Sequence, residues 1–205
     1  YAVILGVIGF VLHYLYLNPL TAYLSLLSLV LYGFAYTPLK RVGPIAVFVG
    51  AIPGGLPPLI GWVACTGEII GQNPLTGRFE LMGLILFGIQ FIWQFPHFWA
   101  IAWVGDEDYR KAGFRLLPNR GEKNLTTAFN IMIYTLFLIP LSLLPHYFGV
   151  TGNVSAIVVT LAGVMFLYQT IVLMRDCDKQ AALKMMFGSF FYLPVVQIAF
   201  VLDKI

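Results

Sequence analysis

The sequence consists mainly of apolar segments that are long enough to cross a lipid bilayer. Most of them extend over about 17 to 25 residues, the length that an α-helix needs to span the hydrocarbon core. Hydrophobic residues make up 60% of the chain and charged residues 10%, against about 25% charged residues in an average soluble domain. Because backbone polar groups inside a bilayer must be satisfied within the protein, segments of this length form helices rather than barrel strands. The sequence therefore predicts an all-α, polytopic membrane helix bundle.

The apolar pattern predicts seven spans joined by six connections. All seven belong to one predicted transmembrane domain that covers residues 1–205. The sequence opens at Tyr1 within an apolar stretch that has no Met and no basic leader region, so we expect the chain to be incomplete at its N-terminus. The predicted spans cover residues 1–17, 20–37, 45–65, 81–104, 126–147, 154–174 and 185–202.

The positions of the basic residues predict how these spans are oriented. Ten of the 12 Lys and Arg residues fall in the second, fourth and sixth connections, and the other two are Arg78 and Lys204. Cytoplasmic loops of membrane proteins carry such an excess of Lys and Arg. We therefore expect these three connections, and any site that they form, to face the cytoplasm across a bacterial inner membrane or its equivalent. The net charge is only +3, and we expect no nucleic-acid partner.

Residues 90–113 combine an aromatic span with a charged end, and they include several of the candidate site residues. Gln94 and His97 are polar side chains at membrane depth, with Trp93 beside them. Ionisable residues inside a span often mark a functional site. A single buried histidine is more often a packed, hydrogen-bonded residue, so the residues alone leave both roles open for His97. If the helix continues unbroken, His97 and Asp108 lie on one face, about 16 Å apart along the axis.

Three acidic residues follow this span at positions 106–108, on the side of the basic connections. One interpretation is a solvated helix end whose carboxylates pair with Arg110 and Lys111. The other is a site for Mg²⁺ and a diphosphate, because Mg²⁺ holds phosphates through one or two carboxylates while basic side chains neutralise the remaining charge. In an unbroken helix Asp106 and Asp108 would point about 200° apart, so both can bind one ion only if the helix ends there. We therefore predict Asp108 as the main metal ligand and Asp106 as the second.

Further basic residues lie on the same predicted side of the membrane. Lys40 and Arg41 follow Tyr36 in the sequence YTPLKR, and Arg115 and Lys123 lie in the fourth connection. Ordinary positive-inside anchoring explains such residues as well as a binding role does. Together with the carboxylates they form a charged face over an apolar bundle, which suits a ligand with an anionic head and a long apolar tail.

The third span contains three prolines, Pro53, Pro57 and Pro58, among several glycines. Proline removes a backbone donor and kinks a helix. Such a segment is tolerated at membrane depth where protein buries it or where it borders a cavity. We expect either a kink that allows close helix packing or one wall of a substrate cavity.

Several motifs, taken in their order along the chain, match a known family. They are YTPLKR at 36–41, GAIPGGLPPLIGW at 50–62, WQFPHFWAIAW at 93–103 and EDYRKAGFRLLP at 107–118. Together they resemble the protoheme IX farnesyltransferases, also called heme O synthases, of the UbiA-type membrane prenyltransferase family. The motif resemblance extends from Asn18 to Pro118, and beyond Leu125 it depends on the number of spans and their hydropathy.

The resemblance implies a bundle of nine helices whose active site opens to the cytoplasm, of which the seven predicted spans would be the last seven. Such enzymes transfer a farnesyl group from farnesyl diphosphate to a vinyl group of protoheme IX, with Mg²⁺ assisting. Heme is then a substrate rather than a retained cofactor. The product, heme O, serves heme A and terminal oxidase biogenesis, which makes heme A synthase a candidate partner.

The resemblance also implies roles for individual residues. The family's later acidic motif matches residues 106–108 with Asp108 as the equivalent position, although Tyr109 stands where many relatives carry another acid; its earlier motif would lie in the part that is missing here. Lys40 and Arg41 are expected to stabilise the leaving diphosphate, and His97 to position the heme or accept a proton. The residues expected to contact the substrates are Tyr36, Trp93, Gln94, Arg115 and Lys123.

Two other functions stay open from the sequence. A UbiA-type enzyme that acts on an aromatic quinone precursor would share the fold and the metal site and differ in the acceptor. A non-catalytic heme-binding membrane assembly protein would need no diphosphate, so Asp108 would be dispensable. A transporter is disfavoured, because transporter sites place interrupted helices in paired repeats and only one span here is so interrupted.

Overall fold

Six helices in the computed structural model are long and apolar enough to cross a membrane, within residues 1–72 and 79–205 that the structure describes (without the side chain of Arg120). The predicted polytopic helical bundle is therefore confirmed. A short antiparallel hairpin of β1 (Gly71–Gln72) and β2 (Phe79–Glu80) follows the fourth helix. The helices are α1 (Ala2–Tyr16), α2 (Pro19–Val30), α3 (Thr37–Leu39), α4 (Ile45–Thr66), α5 (Met82–Val104), α6 (Asp106–Lys111), α7 (Pro118–Gly121), α8 (Leu125–Tyr147), α9 (Asn153–Asp176) and α10 (Lys179–Leu202).

The predicted spans agree with these helices except for the first span and the start of the last one. The first predicted span corresponds to α1, which has only 15 residues. A helix that crosses the membrane needs about 20. The second continues through a π-helical turn, Leu31–Tyr36, into α3, so that Pro19–Leu39 forms one span. The last predicted span was placed too late in the sequence, because α10 begins at Lys179 rather than at residue 185.

Three of the long helices begin at a residue whose side chain accepts a hydrogen bond from the first turn. Asn18 caps α2, Asn124 caps α8 and Asp178 caps α10. Such caps satisfy one of the backbone donors that a helix start leaves unpaired. The Asp178 cap explains the early start of α10. The first turn of this helix is polar, so hydropathy alone suggests a loop, but the carboxylate just before it stabilises the helix start. The sixth connection consequently shrinks to Cys177 and Asp178.

Helix α5 is the central helix of the described bundle, because it packs against α4, α8 and α10. Its large aromatic side chains Phe95, Trp99 and Trp103 are almost completely buried. Helix α9 packs on α8 and α10, and α2 joins α1 to α4. This arrangement places the aromatic segment of the sequence in the middle of the molecule, with its charged end at one end of the bundle.

Helix α4 continues without interruption through all three of its prolines. Because Pro57 has no N–H, the carbonyl of Pro53 loses its partner one turn later in the helix. The hydroxyl of Ser28 in α2 donates a hydrogen bond to that carbonyl at 3.2 Å. A Cβ atom at Gly54 would lie 2.1 Å from Oε1 of Gln94, so this glycine allows α4 and α5 to approach closely. The expectation of close helix packing at this segment is therefore confirmed.

Candidate functional site

His97 lies in the buried interface between α5 and α10. Its Nδ1 atom is 2.7 Å from the hydroxyl oxygen of Ser189, a residue of α10 that is completely buried. The indole N–H of Trp93 donates to the backbone carbonyl of Ser189 at 3.0 Å, and the Trp93 ring stacks on the imidazole with centroids 4.3 Å apart. Ser189 was not among the predicted site residues, because 92 residues separate it from His97.

Gln94 connects α5 to α4. Its side-chain amide donates to the carbonyls of Ala51 at 3.2 Å and Gln90 at 3.1 Å, and the residue is only 3% exposed. An amide at membrane depth needs such partners, because burying it unpaired is costly. In this conformation Gln94 holds two helices together, and its predicted contact with a substrate stays a prediction.

The helix that carries His97 ends before the acidic residues. Helix α5 stops at Val104, and α6 begins at Asp106 after the single residue Gly105. The expectation that His97 and Asp108 share one face of a continuous helix is therefore wrong. The break places the acidic residues in a separate, short helix of 6 residues at the end of the bundle.

Asp106 is the buried carboxylate of this short helix. Its two oxygens accept hydrogen bonds from Nε of Arg110, both at 3.0 Å, and Nζ of Lys123 lies 3.4 Å from Oδ2. Arg110 also donates to the carbonyl of Gly121 at 2.8 Å. Two cations from different parts of the fourth connection thus converge on one carboxylate, which ties the segment between α6 and α8 together.

Asp108 has the opposite environment. Its side chain is 89% exposed, and its closest cation is Nζ of Lys111 at 3.7 Å. Residues two apart in a helix point about 200° away from each other, which explains why Asp106 is buried and Asp108 is exposed. The two predicted metal ligands therefore face different directions, and Asp108 is the carboxylate that is open to a ligand from solution.

Lys40 lies over two tyrosine rings at the end of the second span. Its Nζ atom is 4.5 Å from the ring centroid of Tyr36 and 5.8 Å from that of Tyr32. The π-helical turn before Pro38 sets this geometry, and Thr37 closes it by donating both its N–H and its hydroxyl to the carbonyl of Tyr32. Helical segments of this type are frequent at functional sites. Aromatic faces attract the ammonium group without neutralising it.

The structure brings only some of the predicted site residues together. The rings of Trp93 and His97 stack, and Lys123 contacts Asp106. Arg41 and Arg115 are exposed, and neither forms an ion pair with a residue that the structure describes. Arg78, which the orientation argument counted, lies outside the described residues.

No group of three or more His, Cys, Asp or Glu side chains that could hold a metal occurs in residues 1–72 and 79–205. A metal in this part of the protein would consequently need phosphate oxygens or water to complete its ligands. The donor chemistry fits Mg²⁺ in that respect, because Mg²⁺ usually takes one or two carboxylates together with substrate phosphates. Asp108 offers such a carboxylate, whereas Asp106 would have to exchange one of its cations for the metal.

A cavity of about 1610 Å³ lies at the other end of the bundle. Pro57 and Pro58 of α4, Gln90 of α5 and Gln197 of α10 are among its lining residues. The proline-rich span thus borders a cavity, and its role as one wall of a substrate cavity stays a prediction. None of the residues of α6 lines it, so this space is separate from the charged end that the sequence singled out.

Comparisons with known proteins give a consistent picture. The chain is 57% identical over 182 residues to the protoheme IX farnesyltransferase of Cytophaga hutchinsonii, covering 89% of this chain and 60% of that protein. It is 44% identical over 203 residues to the protoheme IX farnesyltransferase of Christiangramia forsetii, covering 97% of this chain and 63% of that protein. The chain thus spans less than two thirds of the length of these curated relatives.

One solved structure has a similar fold. It comes from work described as structural and mechanistic insights into the biosynthesis of digeranylgeranylglyceryl phosphate synthase in membranes. The TM-score is 0.76 at 23% identity, over 98% of this chain and 67% of that one, which supports the same helical architecture. Residues 1–193 match the UbiA prenyltransferase family, the family that the sequence motifs indicated. The chain therefore belongs to the UbiA prenyltransferase family.

Proposed function

We propose that the whole protein transfers a farnesyl group from farnesyl diphosphate to a vinyl group of protoheme IX and so produces heme O. The observation that carries this proposal is the arrangement along α5 and α6. An imidazole lies at membrane depth between two helices, and a cluster of carboxylates and cations lies at the polar end of the same segment. The names of the curated relatives support the choice of heme as the acceptor.

The charged end suits the diphosphate. Lys40, Arg41 and Arg115 form no ion pair with described residues, so a phosphate can recruit them without breaking an existing pair. Lys123 is paired with Asp106 at 3.4 Å and would have to exchange this partner. Asp108 is the residue that would hold Mg²⁺, with Asp106 as the second candidate. When bound, Mg²⁺ neutralises charge on the diphosphate and favours its departure.

The apolar interior suits the remaining chemistry. The bond between the allylic carbon and the diphosphate oxygen breaks, and the electron pair leaves with the diphosphate near the cationic side chains. A vinyl carbon of protoheme then attacks the allylic carbon, and water adds to the resulting cation and releases a proton. Exclusion of bulk water protects the allylic cation until the acceptor has reacted. The product carries a hydroxyethylfarnesyl group.

The orientation follows from the basic residues. We propose that the end with α6, α7 and the second and sixth connections faces the cytoplasm, because it carries most of the Lys and Arg residues. Farnesyl diphosphate would then reach the site from the cytoplasm and protoheme from the bilayer. Heme O would pass to an enzyme that oxidises it further, for which heme A synthase is our candidate partner.

The decisive experiment uses the full-length protein in membranes, supplied with protoheme IX, farnesyl diphosphate and Mg²⁺. We expect the extracted heme to gain the mass of a farnesyl group plus water, and the gain to disappear when Mg²⁺ is chelated. Prenyl transfer to an aromatic quinone precursor with unchanged heme would contradict the acceptor and keep the enzyme class. Heme binding without any prenyl transfer would replace the proposal with a non-catalytic heme-binding protein.

A further inference from the structure

The hydroxyl of Ser189 has one proton, and we assign its position from the two contacts of the hydroxyl oxygen. The hydroxyl oxygen is 2.5 Å from the backbone carbonyl oxygen of Met186, three residues earlier in α10. A carbonyl oxygen can only accept, so the Ser189 proton lies in this contact. The second contact of the same oxygen, 2.7 Å from Nδ1 of His97, then requires the proton of that bond to be on the imidazole. His97 consequently carries its proton on Nδ1, and in the neutral ring Nε2 has a free lone pair.

Three aromatic side chains fix the plane of this imidazole. Trp93 stacks on it at an interplanar angle of 16°, and Phe190 meets it edge-on at 80° with centroids 4.9 Å apart. Phe98 contacts it at 61° and 5.2 Å. Trp93 is itself held by its hydrogen bond to the carbonyl of Ser189, so one residue of α10 anchors both the ring and its stacking partner. The imidazole therefore has one orientation and one tautomer.

The Nε2 atom of His97 is the part of the ring without a partner. It forms no hydrogen bond with any residue in the described parts of the chain. Six side-chain polar atoms in the described residues are both shielded from solvent and without a hydrogen-bond partner, and Nε2 of His97 is not one of them. Nε2 therefore accounts for part of the 7% of His97 that is exposed. The neighbouring Phe98 and Phe190 are 40% and 48% exposed. An accessible nitrogen lone pair thus lies within a half-exposed aromatic surface.

We propose that Nε2 of His97 is an axial ligand to the iron of a planar metallomacrocycle, and that Ser189 is the positioning residue that makes it one. The inference rests on the proposed function, in which protoheme is the acceptor. Neutral imidazole is a common metal ligand, and a ligating histidine typically donates its other N–H to an acceptor that fixes tautomer and orientation. Here that acceptor is Ser189. The exposed aromatic rings around Nε2 would contact the apolar macrocycle.

The test is a titration of the full-length protein, purified with lipid, with ferric and ferrous protoheme in the absence of prenyl diphosphate. Absorption and electron paramagnetic resonance report ligation, and the iron–imidazole stretching frequency of the ferrous complex reports the Nδ1–H hydrogen bond. We expect His97→Gly to lose the histidine-ligated spectrum, and added imidazole to restore it. The restoration would show that the variant is folded.

The Ser189→Ala variant tests the positioning role. We expect it to keep histidine ligation, to weaken heme binding by about 10-fold or more, and to lower the iron–imidazole stretching frequency. Its matched control is Ser142→Ala. Ser142 lies in α8, is 1% exposed, and has its hydroxyl 2.9 Å from the hydroxyl of Tyr192 in α10. The control removes an equally buried hydroxyl away from His97, so it should leave the heme spectrum and the stretching frequency unchanged.

The outcomes separate this inference from the proposed function. Heme binding by the wild-type protein with a spectrum that His97→Gly does not change would overturn the axial ligand and leave the transferase proposal intact. An unchanged stretching frequency in Ser189→Ala would overturn the positioning role alone. A wild-type protein that binds no heme would overturn both.

Discussion

The two ends of the bundle use aspartate in different ways. At the end that contains α6, Asp106 pairs with two side-chain cations, Arg110 and Lys123. At the other end, Asp203 follows α10 and accepts a hydrogen bond at 2.6 Å from the backbone N–H of Ser155, in the first turn of α9. The carbonyl of Asp203 also accepts from the N–H of Gly152 at 2.9 Å. One carboxylate is held by side-chain cations and the other by a backbone N–H group.

The difference concerns how easily each contact can be exchanged. Side-chain cations can rotate toward an incoming anion. The first N–H groups of a helix cannot, because the helix backbone fixes their direction. The pair at Asp203 therefore serves the fold, and the cluster around Asp106 and Asp108 can rearrange around a ligand. Four substitutions test this contrast, and they are ordered here by the size of the effect that we expect.

Asp108→Asn should have the largest effect, and it should affect activity rather than stability. We expect turnover of the full-length protein to fall by about 100-fold, because a group that stabilises developing charge is lost. Heme binding and the melting temperature should stay close to those of the wild type, since the side chain is 89% exposed. Mass analysis of extracted heme measures the turnover. The matched control is Asp176→Asn, an exposed carboxylate paired with Arg175 at 2.6 Å; equal losses in both variants would remove Asp108 from the site.

Asp203→Ala should mainly lower stability. Loss of the acceptor leaves the N–H of Ser155 without its partner at the start of α9, and removing such a cap costs about 0.5–2 kcal/mol. Asp203→Asn keeps an acceptor oxygen and should retain most of that stability. Thermal unfolding in detergent measures both variants, with turnover at low temperature as a check on function. A pair of melting temperatures indistinguishable from the wild type would contradict the capping role.

Asp106→Asn should have a smaller effect on stability and a local one on dynamics. Arg110 and Lys123 lose their shared carboxylate, but they are 51% and 34% exposed, so water compensates for much of the loss and we expect about 1 kcal/mol. Hydrogen exchange should increase in residues 105–124 and not in α9. An equal increase in hydrogen exchange throughout the protein would contradict this local role of Asp106.

Lys111→Ala should have the smallest effect. Its ammonium group is 3.7 Å from Asp108, and both side chains are largely exposed. Such surface pairs contribute little, so the free energy of unfolding should change by no more than about 0.5 kcal/mol. Chemical denaturation measures it. A change as large as that of Asp106→Asn would show that the exposed pair of Lys111 and Asp108 stabilises the protein as much as the buried carboxylate of Asp106 does.

The sequence predicted the helices well because the bilayer allows few alternatives. Long apolar segments must be helical there, and their lengths match the bilayer. The boundaries failed where local hydrogen bonds outweigh hydropathy. Helix α10 begins early because Asp178 caps it, and α5 ends at Val104 so that α6 starts anew. A continuous α4 was also hard to foresee, since Ser28 of another helix supplies the donor that Pro57 removes.

The candidate site could be predicted only in its composition. The family assignment is confirmed, whereas the roles that the motifs gave to His97 and the acidic residues stay predictions. Which carboxylate is buried depends on the direction of each side chain in α6 and on Lys123, which approaches from the far end of the connection. Ser189 was missed because a serine in an apolar helix carries no periodic or charge signal. Its partner becomes visible only once α5 and α10 are packed together.

The contact of Asp203 with α9 also has a consequence for how the protein is made. Ser155 is synthesised 48 residues before Asp203, so the start of α9 has no partner while that helix enters the membrane. The N–H of Ser155 must be satisfied by interfacial water until α10 has crossed back and brought Asp203 to the same side. The two helices then close as a hairpin, and the order of synthesis makes this closure a late event in biogenesis. Membrane-inserted chains that have been released from the ribosome and end just before or just after Asp203 should differ in how well the start of α9 resists proteolysis.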